Sequence, residues 1–365
     1  VLSVVVPIFA APYAAAAPYY DVAAGSDSSE EETVVMDGDA EVKSDSLEMN
    51  VSAGYNGAYM CYRHTPVKVA VYNNGGDFKG TVQIKVYKDT YSGTYVTYEK
   101  DIEITAGGAG EYDFSIYPET EATYFNVQLL DASGNTAASA NAMVTPLSTE
   151  QVMTAVVTDS KSGSLDYLNN LNIGADIYNR NGYKTNYISF LDAKSFPEDS
   201  ELLSSFSAII IDDFNSQSLS EEQIRAIGAW VSDGGLLVIG TGLNAEKTLN
   251  GFDKLFDYEI SGYDKTVCFG GTADTAVINI PDAEDVDVQN GKAVTKSLSY
   301  GSGKILVHTF DMGTDPIASM ENVTEYLSSF YRNILPQKFS TERYIEYYPE
   351  TLTSVNRLPS VEKDS

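Results

Sequence analysis

Ala208, Ile209, Ile210 and Ile211 form an unbroken apolar run, and Leu236, Leu237, Val238 and Ile239 form a second. Runs of this length suit strands buried on both faces of a parallel sheet, because neither face then meets water. Between them Ser220 opens a helical pattern, with Gln223 placed to return the capping hydrogen bond. Ile224, Ile227 and Val231 fall on one face of that helix, with Trp230 at its edge. Asp233-Gly234-Gly235 supplies residues that tolerate the left-handed turn at a helix end. The segment reads as one βαβ step, and after its second strand the chain turns at Gly240-Thr241-Gly242.

The same strand–helix alternation extends from about Gln151 to Pro336. A first strand covers Ala155, Val156 and Val157, ending in Thr158-Asp159. Leu165, Leu168, Leu171, Ile173 and Ile177 predict a helical stretch, and the turn Asn181-Gly182 introduces a strand from Tyr183 to Phe190. A less regular β-containing insertion spans 256–293, a late strand 303–310 and a closing helix 316–334. This pattern predicts a doubly wound, mostly parallel α/β domain over 148–336. Over 47–147 the period is two: Val67, Val69 and Val71 alternate with polar or small residues, as do Val82, Ile84 and Val86. Further short strands at 95–98, 102–104, 112–116 and 124–130, divided by turns such as Gly107-Gly108 and Ser133-Gly134-Asn135, predict an antiparallel Ig-like β-sandwich. The expected fold class is therefore multidomain, β followed by α/β.

The stretch from Val67 to Val86, with Asn73, Gly75, Phe78 and Gly80 between its strands, resembles the opening hairpin of bacterial Ig-like adhesion and spacer modules. The α/β half resembles the class I glutamine-amidotransferase-like (flavodoxin-like) superfamily, through Ile209 to Phe214, Leu219 to Val231 and Gly234 to Gly242. Active members of that family place a Cys on a strained strand-to-helix elbow, backed by a His and a carboxylate. Here the elbow holds Gly240, Thr241 and Gly242, so the resemblance implies a catalytically silent domain and no catalytic residue is assigned. Thr241 needs an activating base, since a hydroxyl is a weak nucleophile at neutral pH. His308, inside an apolar strand, reads as a satisfied sheet histidine. Cys268 sits in the insertion with no basic neighbour beyond Lys265, as a structural thiol does.

Asp159, Asp212, Asp213 and Asp311 all fall at the C-terminal ends of expected strands, the edge at which open parallel sheets bind ligands. With Thr241, and Thr158 beside it, they make the candidate ligand-binding set. Clustered carboxylates there suit Mg²⁺ or Ca²⁺, and no other cofactor is expected. The structural alternative is that Asp ends strands because it starts turns. Gly240-Thr241-Gly242 also resembles an anion cradle, but lacks the Lys of a P-loop.

The chain has 365 residues, 52 of them acidic and 23 basic, a net charge of −29. That field disfavours nucleic acid and anionic lipid. Residues 1–17 are apolar and end in Ala14-Ala15-Ala16-Ala17, which reads as the remainder of an export signal. An acidic linker over 18–46, built around Ser26 to Glu32, predicts disorder, and 337–365 is a polar tail without a core pattern. Membrane association is expected only through a segment absent from this chain. Cys61 and Cys268 have no zinc or disulfide-scaffold spacing; an inter-domain disulfide and two buried thiols are the alternatives. The 26 tyrosines suit either cross-strand packing or contact with carbohydrate or protein. The expected protein is extracellular or in the cell envelope. It binds or assembles with protein or carbohydrate at the cell surface. The alternatives are a metal-assisted hydrolase using the Asp-lined crevice and a carbohydrate-binding surface protein.

Overall fold

A computed structural model describes residues 39–43, 46–88, 93–147, 151–160, 163–171, 173 and 186–334. The export segment, nearly all of the acidic linker, the Asn181-Gly182 turn, Ile177 and the polar tail lie outside the described residues. All the described residues fall in one compact unit, 33–365.

Ten strands come first: β1 (Asp39–Lys43), β2 (Leu47–Ala53), β3 (Ala58–Met60), β4 (Thr65–Asn73), β5 (Phe78–Tyr87), β6 (Tyr95–Ile104), β7 (Ala109–Ile116), β8 (Tyr124–Asp131), β9 (Thr136–Met143) and β10 (Thr145–Leu147). They build two antiparallel four-stranded sheets, ordered β1-β2-β4-β7 and β6-β5-β8-β9, plus a short parallel β10-β3 pair. Alternation sends one face of each strand into a shared core: Val51, Val69 and Val71 from the first sheet meet Ile84, Val127 and Leu129 from the second. The stretch from Val67 to Val86 is not a hairpin. Its two strands lie in different sheets, and the turn after Asn73 carries the chain across, with the Asn73 amide donating to Gly76, Ile104 and Thr105 carbonyls.

The remaining elements are β11 (Val152–Val157), a 3-10 turn (Asp166–Asn170), β12 (Asn186–Leu191), α1 (Ser200–Leu203), β13 (Phe206–Asp212), α2 (Glu221–Ser232), β14 (Leu236–Gly240), α3 (Ala245–Leu249), β15 (Glu259–Cys268), β16 (Gly271–Asn279), β17 (Glu284–Gln289), β18 (Lys292–Tyr300), β19 (Gly303–His308) and α4 (Val323–Ile334). A seven-stranded sheet takes the order β12-β11-β13-β14-β19-β18-β17. Every residue of β13 and β14 is buried, which accounts for their lack of polar positions. Helix α2 starts with the reciprocal cap: Ser220 Oγ accepts from the Gln223 backbone and the Gln223 side chain accepts from the Ser220 backbone.

The expected doubly wound, mostly parallel α/β domain is not what forms. Among the described residues 49% are strand and 18% helix, and antiparallel sheets predominate. Two causes are visible. Of the leucines at 165, 168 and 171, Leu168 lies inside a 3-10 turn and the other two flank it, so the described part of the expected helical stretch is a 3-10 turn. The segment read as an irregular insertion folds instead into two antiparallel pairs, β15-β16 and β17-β18, and β18 joins β19 antiparallel. Tyr55, just after β2, packs its ring 4.4 Å from Phe206 and donates its hydroxyl to the Leu202 carbonyl at 2.7 Å.

Candidate functional site

The parallel strands β11, β13, β14 and β19 end side by side, because their registers align Val157 with Ile211, Asp212 with Gly240 and Gly240 with His308. The residues that follow therefore collect at one edge. The structure sorts them into two groups.

The outer group is Asp159, Asp213 and a residue the sequence pattern did not single out, Lys247 on α3. Lys247 Nζ lies 3.1 Å from Asp159 Oδ2 and 2.9 Å from Asp213 Oδ1, and donates to the Asp213 carbonyl at 2.9 Å. Burial lowers the Lys247 pKa, but the bonds to Asp213 and Asp159 outweigh it and raise the pKa above its ordinary value. Asp213 sits in the left-handed region, φ +43°, where an Asp costs more than a Gly. Ser160 Oγ donates to its Oδ2 at 3.0 Å, and the Asp159 N–H donates to its carbonyl at 3.1 Å. Asp159 Oδ2 also accepts from the Asn215 N–H.

The inner group is Asp212 and Asp311. Asp212 is fully buried, and its Oδ1 accepts from the Met312 N–H at 2.9 Å. Its Oδ2 meets no nitrogen or hydroxyl donor and faces the Asp311 carboxyl. Burial first, then the Asp311 charge, raise the Asp212 pKa well above the usual carboxylate range. Asp311 is 9% exposed and its Oδ1 accepts from the Gly313 N–H at 2.8 Å. Two neighbouring carboxyls cannot both ionise at low cost, and the fuller burial of Asp212 sets the direction in which the pair holds a proton. The crowding has a sequence correlate in Gly240: a Cβ there would lie 1.8 Å from Asp212 Oδ1. Tyr167, whose hydroxyl donates to the Met312 carbonyl at 3.0 Å, closes the inner side, its pKa raised by burial and then by Asp212 and Asp311.

Thr241 is fully buried, and its hydroxyl donates to the His308 carbonyl at 2.7 Å, so its proton is held by a backbone acceptor rather than a base. His308 is equally enclosed: Nδ1 lies 2.8 Å from Thr295 Oγ1, Nε2 lies 3.1 Å from the Tyr331 hydroxyl, and the ring stacks on Phe310. Burial drops its pKa to about 3, so the imidazole is neutral. Gly242 adopts φ +56° against Asp311, and the Thr241 and Gly242 N–H groups donate to the Phe310 and Thr309 carbonyls, so neither is left to cradle an anion. Both cysteines are free, buried thiols, and burial pushes Cys61 up to about 12.

The structure thus brings all five sequence-derived residues to one edge but does not make them converge on one point. Among the described residues no three Asp, Glu, His or Cys side chains are grouped to hold a metal ion. The centre of the outer group is taken by the Lys247 ammonium. Lys247, Ser160 and Tyr167 carry no sequence signal of this placement, since Lys247 reaches Asp213 from 34 residues away.

No curated protein sequence matches the chain. Among solved structures it is similar to a cytoplasmic protein of Salmonella typhimurium LT2, with 15% identity, a TM-score of 0.38, and 50% of this chain and 100% of that chain covered. It is similar to the exo-β-1,4-mannosidase Op5Man5 of Opitutaceae bacterium strain TAV5 at 15% identity and TM-score 0.29, covering 41% of this chain and 28% of that one. The CARDB domain of a Pyrococcus furiosus protein, solved in complex with di-metal ions, gives 12% identity and TM-score 0.23 over 33% of this chain and 99% of that one. At such scores none of these likenesses establishes a shared fold or activity. Residues 46–145, the stretch that holds most of the two facing antiparallel sheets, match a domain of unknown function, DUF8726.

Proposed function

We propose that this chain is a non-catalytic binding or assembly protein of the cell surface. The observation that carries the reading is the mutual engagement of every reactive group at the strand edge. Lys247 is bound to Asp159 and Asp213, Asp212 to Asp311, Thr241 to a backbone carbonyl, and His308 to Thr295 and Tyr331. A nucleophile needs a base within hydrogen-bonding reach, and Thr241 has none. A general acid must hand its proton to substrate, whereas the Asp212 proton is enclosed. The surface location rests on the apolar, alanine-terminated residues 1–17 and on the acidic balance of the chain.

The test is a glutamine-hydrolysis assay on the purified full chain beside its Thr241→Ala variant. Both should release ammonia at the buffer rate. Turnover by the parent chain that disappears in Thr241→Ala overturns the proposal.

A further inference from the structure

The outer face of the β6-β5-β8-β9 sheet carries an ordered pattern. Strand register places Tyr95 opposite Tyr87 and Tyr124 opposite Met143. The β5-β8 ladder ends at Lys85 and Asn126, and Tyr87 and Tyr124 are the next outward positions beyond it on their strands. One row of outward side chains therefore runs across all four strands as Tyr95, Tyr87, Tyr124 and Met143. The three tyrosines are 50%, 37% and 41% exposed. The next row is Thr97, Lys85, Asn126 and Asn141, and the one after it Glu99, Gln83, Gln128 and Ser139.

Cross-strand packing explains part of this: Tyr87 and Tyr95 meet edge to face at 6.2 Å, with Lys85 Nζ 5.6 Å from the Tyr95 centroid. It does not explain why the row continues, still exposed, onto Tyr124 in the neighbouring strand. An aromatic row open to water with hydrogen-bonding side chains beside it is the composition of a recognition surface.

We propose that this row is a platform for a neutral polysaccharide chain. The proposal rests on the binding reading above and names its ligand class. Three features favour that occupant. The C–H face of a pyranose packs on the electron-rich face of a Tyr ring, and the 6.2 Å between the Tyr87 and Tyr95 rings is of the order of one sugar unit. The row beside the tyrosines holds the Thr97 hydroxyl and an amide pair in which Asn126 Nδ2 donates to Asn141 Oδ1 at 2.9 Å, group types suited to sugar hydroxyls, and Lys85 is its single charge. The acidic side chains farther along the face are already engaged, Glu99 by Gln83 at 2.6 Å, Asp101 by Thr81 at 3.0 Å and Glu103 by Lys79. A net charge of −29 excludes an anionic polymer in favour of a neutral one.

The experiment is native electrophoresis of the full chain through gels containing galactomannan, xyloglucan, hydroxyethylcellulose or polygalacturonate. Retardation by at least one neutral polymer and none by polygalacturonate is expected. The Tyr87→Ala, Tyr124→Ala double variant should bind roughly tenfold or more weaker. Tyr87→Phe with Tyr124→Phe, which keeps the rings, should retain binding within about threefold, a change of well under 1 kcal/mol. If the double alanine variant melts below the parent, Tyr124→Ala alone at the start of β8 replaces it. No retardation by any neutral polymer, retardation by polygalacturonate alone, or equal retardation of the alanine variant overturns the platform. Those results leave the non-catalytic reading standing, since it falls only on turnover lost in Thr241→Ala.

Discussion

Replacing Asp212 by Asn isolates the proton shared at the strand edge. In the folded chain Asp212 is fully buried, Oδ1 is taken by the Met312 N–H, and Oδ2 has only the Asp311 carboxyl to face. Its folded pKa is well above the ordinary 3.8, through burial first and the Asp311 charge second. An unfolded chain releases this proton near 3.8, so between that pH and the folded pKa the native state binds more protons than the unfolded one. Stability must then fall as pH rises through the window, by about 1.4 kcal/mol per pH unit. Asn keeps the acceptor for Met312 and supplies an N–H toward Asp311 in place of the shared proton, without titrating. The variant should match the parent near pH 4 and gain about 1.4 kcal/mol for each further pH unit, levelling at the folded pKa of the pair. Two such units are about 2.7 kcal/mol, a large share of the roughly 5–15 kcal/mol that holds a domain together. Urea unfolding of both proteins at fixed ionic strength, from about pH 4 to 8, reads the difference directly. A constant offset of either sign, with no slope against pH, refutes the shared proton.

His308 works in the opposite direction. Its folded pKa is depressed by burial to about 3 from an ordinary 6.5, so the stability due to its neutral state is complete above 6.5 and is lost as pH falls toward 3. His308→Gln should flatten that acid limb by roughly 3 kcal/mol at pH 4; parallel limbs in urea titrations contradict the assignment. Gly240→Ala places a methyl 1.8 Å from Asp212 Oδ1 and 3.2 Å from Met312 Cγ, and should cost about 1–3 kcal/mol in chemical unfolding. A variant as stable as the parent means the Asp212 side chain has room to move. Lys247→Ala removes the cation between Asp159 and Asp213, both partly exposed, and should cost about 1 kcal/mol or less. The melting midpoint of the variant, and not that of the parent, should rise when calcium replaces chelator; a parent that responds shows Lys247 is not the resident cation.

What the sequence settled by itself is local. The unbroken apolar runs at 208–211 and 236–239 can only be buried, because each residue added to them removes a place where a face could meet water. Ser220 and Gln223 close their own cap at a separation of three residues. That Gly240-Thr241-Gly242 holds no Cys is read from identity alone. Tertiary structure decided everything that depends on partners far along the chain. Alternation says which side chains share a face, yet not which strand lies beside which: the valines of β4 and β5 entered different sheets, and the segment read as an insertion became antiparallel strands. Four aspartates ended three expected strands in the same manner, but two were paired by a Lys reaching in from α3 and two were set against each other with Asp212 buried. Their charge states follow from burial and from neighbours up to 100 residues away, as with Asp212 and the Met312 N–H, and no periodicity in the chain encodes such distances. The tyrosine row has the same origin, since Tyr95 meets Tyr87 only through the register of two strands, and Tyr124 joins their face only through the pairing of β5 with β8.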